Sequence, residues 1–267
     1  VIPIPPQFDA EHARRWHDRD AAESYRFRYT YPPETFEILL SLVAGPAGAA
    51  VLDVGCGTGN IARPLAPQVR RVDAVDFAAE MVSVGRGLPG GAHPHIRWQV
   101  ARAEEAVLDP PYALIVGGQS LHWMDWRTIM PRFAAALSPG GVLAVVSVVQ
   151  ADVQPWDAAV KKIVDRYSTY TEYIPFDMIP AWEGAGLFRQ IGERRTAPAL
   201  FEQPVEEFIA GWHAASHLTR AHIDAASFDA EVRAVMRTFC PGGIASRPLV
   251  GHVLWGKPLA GHGTGTG

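Results

Sequence analysis

The sequence predicts an α/β protein built on a doubly wound, mostly parallel sheet, and three observations carry that prediction. Short apolar runs alternate with helical patterns from residue 49 to residue 149, as strand-crossover-strand units require. The first run, Ala49 to Leu52, leads into Asp53-Val-Gly-Cys-Gly-Thr-Gly-Asn60, whose glycines let the backbone turn sharply and approach a ligand before a helix starts near Ile61. The second run, Arg71 to Asp76, ends in an acid, the position from which such sheets reach the hydroxyls of a ribose.

In chain order, residues 1–48 read as an N-terminal extension with one legible helix. Pro33 starts it, Phe36, Leu39, Leu40 and Val43 follow helical spacing, and Gly45 stops it. Arg14, Arg15 and Arg19 are expected on a solvated helix face. Residues 49–149 are the strand-helix core. After the glycine loop, Ile61, Leu65 and Val69 predict a helix; a third strand, Ile96 to Ala101, precedes Arg102-Ala-Glu-Glu105; and a fourth, Ala113 to Val116, precedes Gly-Gly-Gln-Ser-Leu-His-Trp123. Leu137-Ser-Pro-Gly-Gly sets a turn before a fifth apolar strand ending near Val146. Residues 150–258 supply the rest: a helical, aromatic stretch from 150 to 186, then strands at Phe188 to Ala197 and Leu249 to Gly256, separated by a mostly helical insertion from Pro204 to Cys240. Residues 259–267, rich in glycine, read as a flexible tail, either a linker or an expression scar.

Bulk properties narrow the function classes. With 267 residues and 48% apolar content, the chain suits one sizeable core carrying insertions. The net charge of -4 and the absence of a Lys/Arg run advertise no nucleic-acid groove. No apolar run approaches a membrane span, and Val1-Ile-Pro-Ile-Pro-Pro6 lacks the pattern of a signal peptide, so a cytoplasmic location is expected. A disulfide between Cys56, inside the loop, and Cys240 would obstruct the loop; both are expected as thiols. No metal-ligand spacing such as C-x-x-C or H-E-x-x-H occurs, and no metal is expected.

The loop also discriminates between ligands. Dinucleotide-binding sheets use G-x-G-x-x-G to hold a pyrophosphate, whereas here G-x-G-x-G follows Asp53. A carboxylate at that place repels a pyrophosphate and suits a cation. Together these residues resemble the D/E-x-G-x-G-x-G motif of class I S-adenosylmethionine-dependent methyltransferases, and Leu137 to Val146 resembles their turn into the fifth strand. Arg28-Tyr-Thr-Tyr-Pro32 resembles the R-P-x-Y-P element, and His122-Trp-Met-Asp125 the His-Trp-Phe-Asp-like segment, of the small-molecule group related to trans-aconitate methyltransferase and methyltransferase type 11. Tyr29 replaces the first proline of that element, and Arg102 stands where relatives commonly carry an acid. The resemblance covers about residues 25 to 149.

This resemblance implies a Rossmann-like, seven-stranded sheet with an antiparallel last strand, helical insertions forming a cap, and residues 1–48 closing over the cofactor. It implies S-adenosyl-L-methionine as cofactor, held by Asp53, Gly55, Cys56, Gly57, Asn60, Asp76, Phe77, Met81, Ala103, Glu104, Gln119, Arg28 and Tyr31. The implied partner is a small-molecule acceptor, methylated by in-line displacement on a carboxylate or phenol oxygen or on carbon. Tyr25, Trp123, Trp156, Tyr170, Tyr173 and His213 are the expected acceptor-pocket residues. His122 is the first candidate for a catalytic base and His217 the second, against the plainer reading of His122 as a packing residue. Trp126 is more readily a core residue, and His213 and His217, four apart without a third ligand, a solvated or substrate-facing pair. Two alternatives stay open: a nicotinamide-dependent oxidoreductase on a related fold, and a non-catalytic cofactor-binding protein.

Overall fold

In the computed structural model, which describes residues 5–170, 172 and 174–260, the apolar run at Ala50–Val54 is a strand buried at every position, as a continuous apolar run predicts. Eight strands form: β1 (Ala50–Val54), β2 (Arg71–Asp76), β3 (Ile96–Val100), β4 (Tyr112–Gly118), β5 (Leu137–Gln150), β6 (Phe188–Arg195), β7 (Ala199–Pro204) and β8 (Ile244–Pro258). They make one sheet in the order β3-β2-β1-β4-β5-β8-β6, with β7 also paired to β8. The first five run parallel, and β8 runs antiparallel to β5, β6 and β7. Strand order reverses between β1 and β4, which opens a crevice at their carboxyl ends, the usual ligand position in such sheets.

The helices are α1 (Ala10–Arg14), α2 (Arg19–Ser24) and the expected α3 (Pro33–Ser41) in the extension, α4 (Ala62–Leu65), α5 (Ala79–Gly87) and α6 (Trp126–Ala136) in the core, and, in the stretches read as helical, α7 (Asp157–Tyr167), α8 (Met178–Gly184), α9 (Val205–Trp212) and α10 (Ala225–Phe239) beyond it. Alternation sorts the core onto two faces. Val51, Leu114, Val116 and Ala144 pack with Ile38, Leu39 and Leu65, while Leu52, Val54, Ile115 and Leu143 pack with Ile129, Phe133 and Trp182. A third cluster stands apart, made by Trp156, Val160, Phe208, Phe228, Val232 and Met236 from α7, α9 and α10. The insertions therefore have a small core of their own, which makes a cap beside the sheet.

Four local differences from the sequence reading have physical causes. The helix expected through Val69 stops at Leu65 and tightens into a 3-10 turn at Ala66–Gln68, because Pro67 brings no N–H and its ring crowds the preceding turn. Pro139-Gly-Gly141 lies inside β5, as an irregularity in its pairing with β4 in which Gly140 takes φ +86°. The strand expected to end at Ala197 is followed by β7, which continues along the same edge of β8 after a break at 196–198; Thr196 bridges the break, its N–H donating to the Gly251 carbonyl and its Oγ1 accepting from the Gly251 N–H. Within the predicted tail, the Leu259 N–H donates to the Leu187 carbonyl; residues 261–267 lie outside the described part. Among the described residues no helix is long and apolar enough to cross a membrane, and both cysteines are free.

Candidate cofactor and acceptor site

The glycine loop is held open by its own sterics. Gly55 has φ +63°, and a Cβ there would come within 2.4 Å of the Ser120 Cβ. Ser120 cannot withdraw easily, because its Oγ donates to the Val54 carbonyl at 2.7 Å. Gly57 has φ +54°, and a Cβ there would point toward the Tyr25 ring at 3.9 Å, into the space between loop and ring. At the end of β4, Gln119 takes φ +52°, a conformation that non-glycine residues adopt rarely and that clusters at functional sites.

Two cavities meet at this loop, and another adjoins the first of them through shared walls. The first is lined by Gly55, Gly57, Asp76, Phe77, Met81, Ala103, Glu104 and Gln119 together with Trp16, Tyr25 and Trp123. The third is lined by Arg28, Tyr31, Asp53, Cys56 and Asn60, again with Tyr25 and Gln119. The second lies under the cap and is lined by His122, Tyr170 and His217, with Trp16, Tyr25, Gln119 and Trp123 shared with the first. Segments far apart in sequence thus converge on neighbouring cavities that share lining residues.

The carboxylates are fixed by the backbone. Asp76 accepts from the Gly57 N–H through Oδ2 and from the Ala78 N–H through Oδ1, both at 2.8 Å, so it ties the end of β2 to the loop and keeps its remaining lone pairs for the first cavity. Burial pushes its pKa up, against the two amide bonds. Asp53 accepts from the Ala62 N–H at 3.0 Å at the start of α4; burial pushes it up to about 7, the amide opposes this, and Asp76 adds to it. A cationic group in the third cavity therefore finds a carboxyl poised to ionise. Glu104, on the first cavity, accepts from the Asp125 N–H at 2.8 Å and so fixes the turn into α6. Asn60 accepts from Arg63 at 2.8 Å.

The two histidines differ in their settings. His122 packs on Phe8 at 4.3 Å between ring centroids and on Trp123 at 5.2 Å, and neither of its ring nitrogens has a hydrogen-bond partner among the described residues. Burial lowers its pKa to about 4. His217 stacks on Tyr170 at 4.5 Å; burial and then the nearby Arg28, His12 and Arg15 lower it to about 4. Both are neutral imidazoles at pH 7.

Several expected residues lie elsewhere. His213 caps α9 and is fully buried away from the cavities, with Nδ1 at 2.8 Å from the Leu218 carbonyl and Nε2 at 2.7 Å from Asp229 Oδ1, so its polar atoms are used within the cap. Trp156 is a buried member of the cap core, because its large apolar ring fills the space between α7 and its neighbours. Tyr173 lies outside the described residues. Trp126 is core, its Nε1 donating to the Leu121 carbonyl at 2.7 Å, while Trp123 faces the cavities. Arg15, expected on a solvated face, is buried: it donates to Thr169 Oγ1 at 2.5 Å, to the Ser216 carbonyl at 2.9 Å and to Glu11 at 3.0 Å. The sequence reading missed Phe8, Trp16, Gln203, Phe208 and Arg247, which line the second cavity. Nothing in their local sequence marks them; only the tertiary fold brings them to one wall.

Comparison with known proteins agrees with this geometry. Residues 51–141 match the methyltransferase domain family. An uncharacterized methyltransferase of Mycobacterium tuberculosis is 34% identical over 143 residues, covering 53% of this chain and 55% of that protein. Trans-aconitate 2-methyltransferase of Azoarcus sp. is 36% identical over 111 residues, covering 40% of this chain and 42% of that protein. The chain thus spans about half the length of the curated relatives it matches. A solved structure from Anaeromyxobacter dehalogenans, provisionally described as a type II methyltransferase, shares the fold with a TM-score of 0.61 at 23% identity, covering 86% of this chain and 97% of that one. Residues 51–141 thus form a methyltransferase domain, and over about half its length the chain is similar to proteins named as methyltransferases.

Proposed function

We propose that the protein transfers the methyl group of S-adenosylmethionine to a small molecule held in the second cavity. The observation that carries this reading is the junction of the first two cavities: Trp16, Tyr25, Gln119 and Trp123 line both, so one ligand beside Asp76 and another under the cap would meet there.

The residues present fit the cofactor. The loop lacks side chains at Gly55 and Gly57, where any Cβ would meet Ser120 or point at Tyr25, and the acids of the site suit hydroxyls and an ammonium better than phosphates. Asp76 would accept the ribose hydroxyls; Asp53, held by the Ala62 N–H at the helix start, would face the amino group; Arg28 would meet the carboxylate. When bound, the cofactor supplies a methyl group on a positively charged sulfur, already a good leaving group. The chain's task is then to position the partners and exclude water. The faces of Tyr25 and Trp123 favour a nearby cation by about 1 kcal/mol. Residues 1–48 would close over the cofactor, with Ala13 and Trp16 from this segment already on its wall, and the cap of residues 150–258 would enclose the acceptor. His122, neutral and without a hydrogen-bond partner, would take the proton of a phenol or carbon acid; a carboxylate acceptor would need no base.

Two measurements test the reading. Incubation with methyl-labelled S-adenosylmethionine and a panel of carboxylic acids, phenols and carbon acids should label at least one of them; binding without any transfer would favour a non-catalytic protein, and stabilisation by reduced nicotinamide cofactor alone an oxidoreductase. Asp76→Ala should weaken S-adenosylhomocysteine by about 2 kcal/mol, roughly thirtyfold, through lost charge-assisted hydrogen bonds. Unchanged affinity by calorimetry removes Asp76 from the site.

A further inference from the structure

The second cavity carries an unanswered charge, and on the methyltransferase reading the chemistry of the acceptor answers it. Arg28 and Arg247 line the cavity, yet among the described residues no Asp or Glu does. Arg28 also borders the third cavity, at the cofactor end, whereas Arg247 lines only the second. The Arg247 guanidinium lies over the rings of Phe208 at 4.9 Å and Tyr29 at 5.5 Å, and among the described residues it has no carboxylate or hydrogen-bond acceptor. Asp157 acts on it electrostatically, but Asp157 Oδ2 is already taken by Gln150 Nε2 at 2.5 Å and the Gln154 N–H at 2.7 Å.

A second donor stands beside it. Gln203 is only 5% exposed, lines the same cavity, and its amide makes no hydrogen bond among the described residues; its Oε1 is wholly buried. In the β7–β8 register Phe201 opposes Arg247 and Gln203 opposes Ala245. Ala245 and Arg247 share a face, so Gln203 and Arg247 are diagonal neighbours on one face of the ribbon. Aromatic faces compensate a guanidinium's charge but not the direction of its N–H groups, and Gln203 Nε2 brings two further donors. A planar anion answers the guanidinium through two parallel N–H bonds and can accept from Gln203 Nε2 as well, whereas Gln203 Oε1, an acceptor, takes a donor instead.

We propose that Arg247 and Gln203 anchor a carboxylate of the methyl acceptor, and that the acceptor is a small aromatic or unsaturated acid methylated at its other end. The anchor lines the second cavity alone, whereas Gln119 and Trp123 line both the first and the second; the methylated atom therefore lies toward Gln119, Trp123 and His122, and the carboxylate stays ionised as a handle. The aromatic walls, among them Phe8, Phe208 and Trp212, suit the flat apolar body between. For a hydroxylated acid the step balances: the oxygen forms its bond to the methyl carbon as the carbon-sulfur bond breaks, sulfur keeps that electron pair, and the hydroxyl proton passes to His122.

The test uses four probes, 4-hydroxybenzoate and 4-hydroxycinnamate with their neutral carboxamides, titrated by calorimetry into protein saturated with S-adenosylhomocysteine. The acids should bind at least tenfold tighter than the amides, and this preference should shrink as salt is raised. Arg247→Met should abolish the preference, Arg247→Lys should keep part of it, and Gln203→Leu should reduce it, with S-adenosylhomocysteine affinity within twofold of wild type in each. If Arg247→Met does not fold, Gln203→Leu and the salt dependence decide. Equal binding of acids and amides, failure of both acids to bind, or a preference that survives Arg247→Met overturns the anchor. Failure of S-adenosylhomocysteine to bind wild type overturns the methyltransferase reading instead, and the acid-over-amide preference measured on the protein alone then decides the anchor separately.

Discussion

On the proposed reading, Asp53 sets the protonation chemistry of the cofactor end. Burial holds it near pKa 7, so at pH 6.5 much of the population carries a proton. An ammonium arriving in the third cavity favours the ionised form, and the proton leaves. Binding of S-adenosylhomocysteine at pH 6.5 should therefore release protons, seen as a dependence of calorimetric enthalpy on buffer ionisation heat, and Asp53→Asn should remove that dependence. Equal proton release by wild type and Asp53→Asn would place the titrating group elsewhere. His122 and His217 act on stability with a fixed sign. Their folded pKa values near 4 lie below the ordinary 6.5, so the unfolded chain binds protons first as pH falls. Stability is full above about pH 6.5 and is lost toward pH 4. The melting temperature should drop across that window, and His122→Phe, which keeps the contact with Phe8, should flatten the drop; a drop unchanged in the variant would mean that His122 does not titrate in this range. At this scale the sequence was informative where backbone geometry dictates residue type, as at Asp53, Gly55 and Asp76. It was silent on Arg247 and Gln203, whose roles arise only from the register of β7 on β8.

Elements were legible in proportion to how locally they are determined. The strand Arg71 to Asp76 was bounded correctly from its apolar run, and α3 from Pro33 onward, because each is fixed by its own pattern. Strand β7 was not foreseen: Ala-Leu-Phe-Glu-Gln-Pro has no alternation of its own and is extended only because β8 offers it an edge. The loop between β1 and α4 is the element on which the site depends, and its glycines are required rather than permitted. Gly55→Ala combines a positive φ with a 2.4 Å clash against Ser120, which the Val54 carbonyl holds in place. It should cost about 1–3 kcal/mol of stability and weaken S-adenosylhomocysteine binding strongly. Chemical denaturation and calorimetry check both; a variant as stable and as tightly binding as wild type would show that the loop takes another shape.

Across the whole molecule, polar links join the N-terminal extension to the cap, one of them buried. Arg15, 7% exposed, reaches Thr169 and the Ser216 carbonyl from one side and Glu11 from its own helix. Arg220 in the cap reaches Ser24 at 3.0 Å and Asp20 at 3.2 Å in α2. Neighbours of these residues, Ala13, Trp16, Tyr25 and His217, line the cavities, so the links set how tightly the site is covered. Such a cover was invisible in the sequence, where three arginines near a short helix read as a solvated face; only burial of the partner groups makes Arg15 structural. Arg15→Ala leaves the Ser216 carbonyl and Thr169 without their donor, a loss of about 1–3 kcal/mol for buried groups. Part of that loss should appear as opening of the cover rather than global unfolding, because the links lie at its seam. The variant should release S-adenosylhomocysteine several-fold faster, with faster amide exchange at residues 10–24 and 168–170 and unchanged exchange in β1 and β4. Faster exchange in β1 and β4 as well would assign Arg15 to overall stability, and an unchanged release rate would separate the extension from cofactor retention.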